Sequence, residues 1–184
     1  MDVPSLIKLV SAIREAGCDR KLILFGSCSA LASYPDLGTM EGSAVRHSRD
    51  ADFVLDPWDD DVARQIHDRV GARKSFDIEH GFYADIIRPM AYENFPPGWQ
   101  ERLVPLAGCA GVFCLEPHDM AVAKCFPARP KDRALLVALI QAGRLSPPVI
   151  RERLSSMALT EAWIVRSHRF LQETAAAAGQ PLPP

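Results

Sequence analysis

Three aspartates stand where their carboxylates could hold a metal ion. Asp50 and Asp52 are two residues apart in the run 49–55 (RDADFVL), whose apolar end is typical of a strand. Residues two apart on a strand point to the same face, so these carboxylates repel unless a hard divalent cation lies between them. Asp85 lies in the apolar run 82–87, where an unpaired charge is costly. Three converging carboxylates would bind Mg²⁺ (or Mn²⁺) and a nucleoside triphosphate.

A glycine and a serine after the apolar run 22–25 form a second candidate site. Gly26 lets a ligand approach the backbone, and Ser27 is a natural N-cap for a short helix that Pro35 ends. Backbone N–H groups and the positive dipole end of a helix suit a phosphate group. The pair therefore indicates a phosphate-binding turn.

Each of these features also has a purely structural explanation. An ordinary strand-to-helix turn accounts for Gly26 and Ser27, and pairing with Arg49 or Arg46 accounts for the aspartate pair. Asp85 could form a salt bridge with a nearby lysine or arginine. Two more acid-x-acid pairs occur in the chain, Asp59/Asp61 and Asp77/Glu79. The order of the three features along the chain is what favours the functional interpretation.

The elements that would position these residues form an α/β half followed by a helical half. In the first half the patterns predict helices over 2–17 and 58–70, and strands over 22–25, 51–55, 103–106 and 112–115. They also predict a loop over 36–48 and a hairpin over 76–87 that turns at Gly81. In the second half they predict helices over 116–126, 130–142 and 146–157, and a fourth that begins at Thr160. We expect an α/β core over 1–115, a helical portion over 116–174 that packs on it, and a flexible tail over 175–184.

Length and composition exclude several classes of protein. The chain has 184 residues, 48% of them apolar and 24% charged, with a formal net charge of −2. These values are typical of a globular protein and exclude both wholesale disorder and a generic polybasic nucleic-acid module. The five cysteines form no CxxC pair and predict reduced, mostly buried thiols. With no signal peptide and no apolar run of about 20 residues, we expect a soluble cytoplasmic protein that does not meet a membrane.

The order of the motifs resembles the DNA polymerase β-like nucleotidyltransferase superfamily. Its signature is an apolar strand, Gly-Ser or Gly-Gly, a helix, an acid-x-acid strand and a third acid on a later strand. The positions that match are Gly26, Ser27, Asp50, Asp52 and Asp85. Residues 7–154 look most like small bacterial nucleotidyltransferase-like domains of undefined function, related to the nucleotidyltransferase toxins of abortive-infection systems. The resemblance implies a mixed β-sheet with flanking helices and a C-terminal helical portion.

The resemblance also implies a role for each matched residue. Asp50 and Asp52 would hold the metal that bridges the triphosphate, and Asp85 would complete a second metal site and help deprotonate the attacking hydroxyl. Gly26 and Ser27 would bind the phosphates. The basic residues that would balance the triphosphate charge or guide an acceptor strand are Arg46, Arg49, Lys124, Arg129 and Lys131. For Lys124 the alternative is a structural ion pair with Asp132.

The leading hypothesis is a metal-dependent enzyme that transfers a nucleoside monophosphate from a triphosphate to a hydroxyl of an RNA such as tRNA, a protein or a small molecule. Such an enzyme could be one component of a toxin-antitoxin pair and bind its cognate partner. The alternative is a catalytically weak nucleotidyltransferase-fold protein that binds or regulates a partner, as an antitoxin does. A third hypothesis is nucleic-acid cleavage at the same carboxylates. His118 is a minor catalytic candidate, and packing is the role that we predict for Cys28.

Overall fold

The structure is a computed structural model that describes residues 1–183. The chain forms two units: the first contains Met1–Ala91 and Leu103–Leu115, and the second contains Tyr92–Arg102 and the chain from Glu116 onward. Strands and helices are mixed in the first unit, and helices make up the second, so the predicted α/β fold class is confirmed. No helix within residues 1–183 combines the length and the hydropathy that a membrane span needs.

An open five-stranded sheet organises the first unit. Its strands are β1 (Lys21–Phe25), β2 (Asp50–Asp56), β3 (Tyr83–Ile86), β4 (Val104–Pro105) and β5 (Val112–Cys114). The order across the sheet is β3-β2-β1-β5-β4, with β1 antiparallel to β2 and parallel to β5, and with β2 parallel to β3. The three middle residues of β1 are buried, as its continuous apolar run predicts for a strand that is covered on both faces.

The helices of the first unit are α1 (Val3–Glu15), α2 (Asp60–Val70) and α3 (Ser75–His80). Asp2 caps α1, because its carboxylate accepts a hydrogen bond from the backbone N–H of Ser5 at 2.9 Å. Asp59 caps α2 in the same way through two backbone N–H groups. Both helices bury an apolar stripe, as their 3.6-residue periodicity predicts.

The predicted hairpin over 76–87 is wrong. Its first half is the helix α3, and its second half is β3, which pairs in parallel with β2. Gly81 adopts a left-handed conformation, φ 78° and ψ 11°, and ends α3 instead of turning a hairpin. Ile78 is 78% exposed, so the apolar alternation that indicated a strand does not correspond to a buried face.

The short helix after β1 also differs from the prediction at its start. It is a 3₁₀ helix over Ser27–Ala32, the cap position is Gly26, and no side chain caps it. Ser27 is therefore the first residue of the helix and not its N-cap. The loop that follows contains a second 3₁₀ turn, Pro35–Gly38.

The second unit is built on the predicted helices, α4 (Pro117–Cys125), α5 (Pro130–Gln141), α6 (Pro147–Ser155) and α7 (Glu161–Ala177). Proline occupies the first turn of α4, α5 and α6, where its missing N–H would have no partner within the helix. The helices pack through fully buried aliphatic side chains, among them Leu136, Ile140, Ile150 and Leu171.

Helix α7 continues past residue 175, where we predicted a flexible tail. It ends at Ala177, and Ala175 is fully buried. The Gln180 side chain donates a hydrogen bond to the carbonyl of Ile140 at 3.3 Å. Packing of small alanine side chains therefore orders this stretch, which a composition of alanine and glycine did not predict. Residue 184 of the predicted tail lies outside the described residues.

Candidate functional site

The register of β2 and β3 places three aspartates on one face of the sheet. Asp52 is the direct partner of Asp85 in the parallel pair of β2 and β3. Direct partners on neighbouring strands point to the same face, with their strands about 4.8 Å apart. Asp50 stands two residues before Asp52 and shares that face. Phe25, the last residue of β1, is the partner of Asp52 on the other side, so the aspartates lie beside the point where the chain leaves β1.

Gly26 lies directly against the carboxylate of Asp52. Its backbone has φ 71° and ψ −164°, a conformation that is essentially restricted to glycine. A Cβ added at this position would lie 2.0 Å from Oδ2 of Asp52. The Gly26 carbonyl accepts a hydrogen bond from the Ser29 hydroxyl at 2.9 Å, and this bond stabilises the turn. The candidate phosphate-binding turn is thus in direct contact with the acid pair, through Asp52.

This contact makes the substitution Gly26→Ala a sharp test of the site. The strained backbone alone should cost roughly 1–3 kcal/mol, and the clash with Asp52 adds to that cost and displaces the carboxylate. We expect the free energy of unfolding to fall by about 3 kcal/mol or more, with loss of metal binding at the aspartates. Chemical unfolding and Mn²⁺ titration would measure the two effects.

The matched control is Gly42→Ala in the same unit. Gly42 also has a positive φ, 75°, but a Cβ there would meet no atom within 4 Å. We expect Gly42→Ala to lower the free energy of unfolding only through its left-handed backbone conformation, by about 1 kcal/mol, and to leave Mn²⁺ binding unchanged. Equal effects of the two substitutions would contradict the contact that we describe between Gly26 and Asp52.

The segment just before β2 positions Asp50. The Ser48 hydroxyl donates a hydrogen bond to Oδ1 of Asp50 at 2.9 Å, and the Cys28 thiol donates to the Asp50 carbonyl at 3.4 Å. Burial raises the pKa of Cys28 to about 11, so the thiol stays protonated at neutral pH and has the packing role that we predicted. The amino group of Met1 donates to the carbonyls of Val45, Arg46 and Ser48 at 2.8, 2.6 and 2.8 Å.

Tyr83 shares the aspartate face, although it is not one of the predicted site residues. It is the partner of Asp50 in the pair of β2 and β3, and it stands two residues before Asp85 on β3. Burial raises the pKa of its phenol, and the negative charges of Asp50 and Asp85 raise it further. The phenol therefore remains protonated and can donate a hydrogen bond on this face. The Tyr-x-Asp spacing was the available indication in the sequence.

Arg49 lies beside the aspartates in sequence but makes its contacts elsewhere. Its guanidinium donates to Oδ1 of Asp77 and to the carbonyl of Gly81, both at 2.8 Å, and so ties the start of β2 to α3. The backbone N–H of Arg73 and this guanidinium together hold the pKa of Asp77 below its usual range. Nucleotide binding by Arg49 stays a prediction and would require it to leave these partners.

Two of the predicted basic residues in the second unit hold a buried carboxylate. Lys124 is buried, and its Nζ lies 3.2 Å from Oδ1 of Asp132, while Arg129 donates to both oxygens of that aspartate at 2.6 and 3.1 Å. Burial opposes ionisation of Asp132, but the two cations outweigh it and lower the pKa. Lys124 therefore forms the ion pair with Asp132 that we considered as the alternative to nucleotide binding. Lys131, next to Asp132 on α5, is exposed.

A second buried carboxylate, Asp119 on α4, organises an ion-pair network that no sequence motif predicted. Asp119 is fully buried and accepts two hydrogen bonds from Arg102, at 2.8 and 3.1 Å, and one from Arg153 at 2.7 Å. Arg153 also donates to Glu116. Burial opposes ionisation of Glu116, but hydrogen bonds from His118 and Arg153 outweigh it and lower the pKa to about 2.

Both ring nitrogens of His118 are in use within this network. Nδ1 lies 2.7 Å from Oε1 of Glu116, and Nε2 accepts a hydrogen bond from the backbone N–H of Ser146 at 3.1 Å. This arrangement specifies the tautomer with hydrogen on Nδ1, since Nε2 must be an acceptor. His118 therefore links the start of α4 to the start of α6 and is not placed as a general base.

The aspartates match a hard divalent cation in their chemistry. Carboxylate oxygens are the ligands that Mg²⁺ and Mn²⁺ prefer, and the sheet brings three of them to one face. Within residues 1–183, however, no three side chains of His, Cys, Asp or Glu are already gathered closely enough to hold a metal ion. Binding a cation would therefore require rotamer changes that draw Asp50, Asp52 and Asp85 together.

Comparison with known proteins gives one match. The sequence model of a protein family described as "Nucleotidyltransferase of unknown function (DUF6036)" matches residues 3–172. That range contains all the candidate residues described above. No curated protein and no solved structure matches the chain significantly.

Proposed function

The chain belongs to this family of nucleotidyltransferases of unknown function, and from that premise we propose that it transfers a nucleoside monophosphate from a nucleoside triphosphate to a hydroxyl group. The proposed cofactor is Mg²⁺ or Mn²⁺ bound by Asp50, Asp52 and Asp85. The observation that carries the proposal is the register of β2 and β3, which pairs Asp52 with Asp85 next to the turn at Gly26.

Each residue of the site has a proposed task. A divalent cation on the three aspartates would offset the charge of the triphosphate and of the transition state. Gly26 and Ser27 bind the phosphates through backbone N–H groups at the start of the 3₁₀ helix, while the missing side chain of Gly26 leaves room for the Asp52 carboxylate. Asp85, which is exposed on the sheet, accepts the proton of the attacking hydroxyl. The hydroxyl oxygen bonds to the α-phosphorus as the bond to pyrophosphate breaks.

Tyr83 and the acceptor complete the proposal. The protonated phenol of Tyr83 donates a hydrogen bond to a phosphate oxygen at the aspartate face. The acceptor hydroxyl belongs to an RNA such as tRNA, to a protein or to a small molecule. We also propose that the protein is one component of a toxin-antitoxin pair and binds a cognate protein partner.

One observation favours a second candidate function. Among the residues that the structure describes, no group of three potential metal ligands is preassembled. A nucleotidyltransferase-fold protein that binds or regulates a partner, with little turnover, would need no such group. The two candidates differ in whether Mg²⁺ and a nucleoside triphosphate are bound and consumed.

The test is a thermal-shift screen of the four nucleoside triphosphates with Mg²⁺ or Mn²⁺, followed by an assay for pyrophosphate release. A ligand at a hundred times its Kd stabilises the folded state by about 2.7 kcal/mol, which corresponds to a rise in Tm of roughly 5–10 °C. We expect that rise for at least one triphosphate, only with a divalent cation. Stoichiometric capture of a partner protein, with no triphosphate bound or hydrolysed, would support the second candidate and overturn the first.

A further inference from the structure

A groove of about 640 Å³ lies wholly within the second unit. Among the residues that line it are Glu93, Asn94, Phe126, Thr160 and Trp163. Its volume is within the range of small-molecule sites, and its mainly apolar walls with a few polar groups are typical of such sites. None of the residues proposed for nucleotidyl transfer lines it.

Trp163 is an aromatic wall of this groove that is fixed in place. Its side chain is 41% exposed, yet its ring meets the ring of Phe126 edge to face, with centroids 5.9 Å apart. The guanidinium of Arg166 lies over the indole, 5.3 Å from the ring centroid, and donates to the carbonyl of Pro127 at 3.3 Å. An aromatic surface that is held in this way can stack on a planar ligand without first being ordered.

The charge of the groove restricts the ligand further. Glu93 is the one ionisable residue among those that line it. Arg166 lies over the indole but does not line the groove, and its guanidinium donates to the carbonyl of Pro127, so the lining itself offers no lysine or arginine to a phosphate or a carboxylate. The carboxylate of Glu93 and the side-chain carbonyl of Asn94 are hydrogen-bond acceptors, and both residues are exposed. The Thr160 side chain also lines the groove and makes no capping bond to α7.

From these observations we propose that the groove binds a planar heteroaromatic ligand with an exocyclic amino group and without a phosphate. The ring stacks on Trp163 beside Phe126, and the amino group donates to Glu93. Stacking gives the affinity, and the acceptor carboxylate distinguishes amino-substituted rings from their oxo analogues. This site goes beyond the proposed transfer reaction and does not depend on it.

The test compares adenosine with inosine, which has an oxo group in place of the amino group, by calorimetric titration in buffer with EDTA. We expect saturable binding of adenosine and at least about tenfold weaker binding of inosine. Trp163→Ala should weaken adenosine binding about tenfold or more. Glu93→Gln should reduce the preference for adenosine over inosine, and it tests the site even if Trp163→Ala does not fold.

Two control variants separate this site from the aspartate site. Val165 is 59% exposed on the same helix but does not line the groove, so Val165→Ala should bind adenosine as the wild type does. The double substitution Asp50→Asn with Asp52→Asn should also leave metal-free adenosine binding unchanged. No binding at millimolar adenosine, equal binding of inosine, unchanged binding by Trp163→Ala, or loss of binding in the double variant would each overturn the proposal.

Discussion

Replacing Asp50 and Asp52 together by asparagine is expected to reduce metal-dependent binding and transfer of the nucleotide by at least about a hundredfold. Asparagine has nearly the same shape, and its carbonyl can still accept the hydrogen bond that Ser48 donates to Asp50 at 2.9 Å. It has no negative charge, so the attraction for a divalent cation is lost. The fold should survive, because the substitution also removes repulsion between carboxylates on one face.

The matched control for this experiment is Asp56→Asn at the far end of the same strand. Asp56 is half exposed and pairs with Lys21 at 3.5 Å, so its loss should change stability by less than about 1 kcal/mol. Transfer of a labelled nucleotide and Mn²⁺ titration would be measured for both variants, with circular dichroism to verify folding. Full activity of the double variant would reject the metal site, whereas equal losses in both variants would indicate a general effect of removing charge from β2.

A large loss of stability is expected for Asp119→Asn. The substitution leaves the guanidinium groups of Arg102 and Arg153 partly buried without their shared anion, and it turns one acceptor into a donor that faces them. Breaking a buried ion pair from one side costs about 3–5 kcal/mol. For a chain of this size a loss of about 3 kcal/mol corresponds to a Tm lower by roughly 6–12 °C, which calorimetry would measure.

An exposed aspartate in a similar ion pair provides the comparison. Oδ1 of Asp68 lies 2.9 Å from Nζ of Lys74, and the Asp68 side chain is 62% exposed. Because an exposed ion pair contributes little to stability, Asp68→Asn should shift Tm by no more than a few degrees. The comparison contrasts a buried aspartate that accepts three hydrogen bonds from two arginines with an exposed one that accepts a single hydrogen bond from a lysine. If Asp119→Asn melts within a degree or two of the wild type, the network does not stabilise the second unit.

The sequence was informative wherever a local pattern determines the structure. The apolar run of β1 and the helical periodicity of α1 and α2 correspond to the elements that form. It failed over residues 76–80, because the apolar residues there resemble a strand, whereas the chain forms the helix α3. The second strand of the predicted hairpin is present as β3, but it pairs with β2. The carboxylate of Asp77 accepts a hydrogen bond from the backbone N–H of Arg73, and Gly81, which has no side chain, ends the helix in a left-handed conformation. Neither feature is visible as a periodicity of apolar residues.

By itself the sequence determined the fold class, most helices and strands, and the common face of Asp50 and Asp52, because these depend on residues that are near each other in the chain. Only the tertiary structure decided that Asp85 is the partner of Asp52 and that Gly26 touches the Asp52 carboxylate. It also decided that Asp119 meets arginines 17 and 34 residues away. Such contacts depend on strand register and packing over long separations in the chain, and no local pattern encodes them.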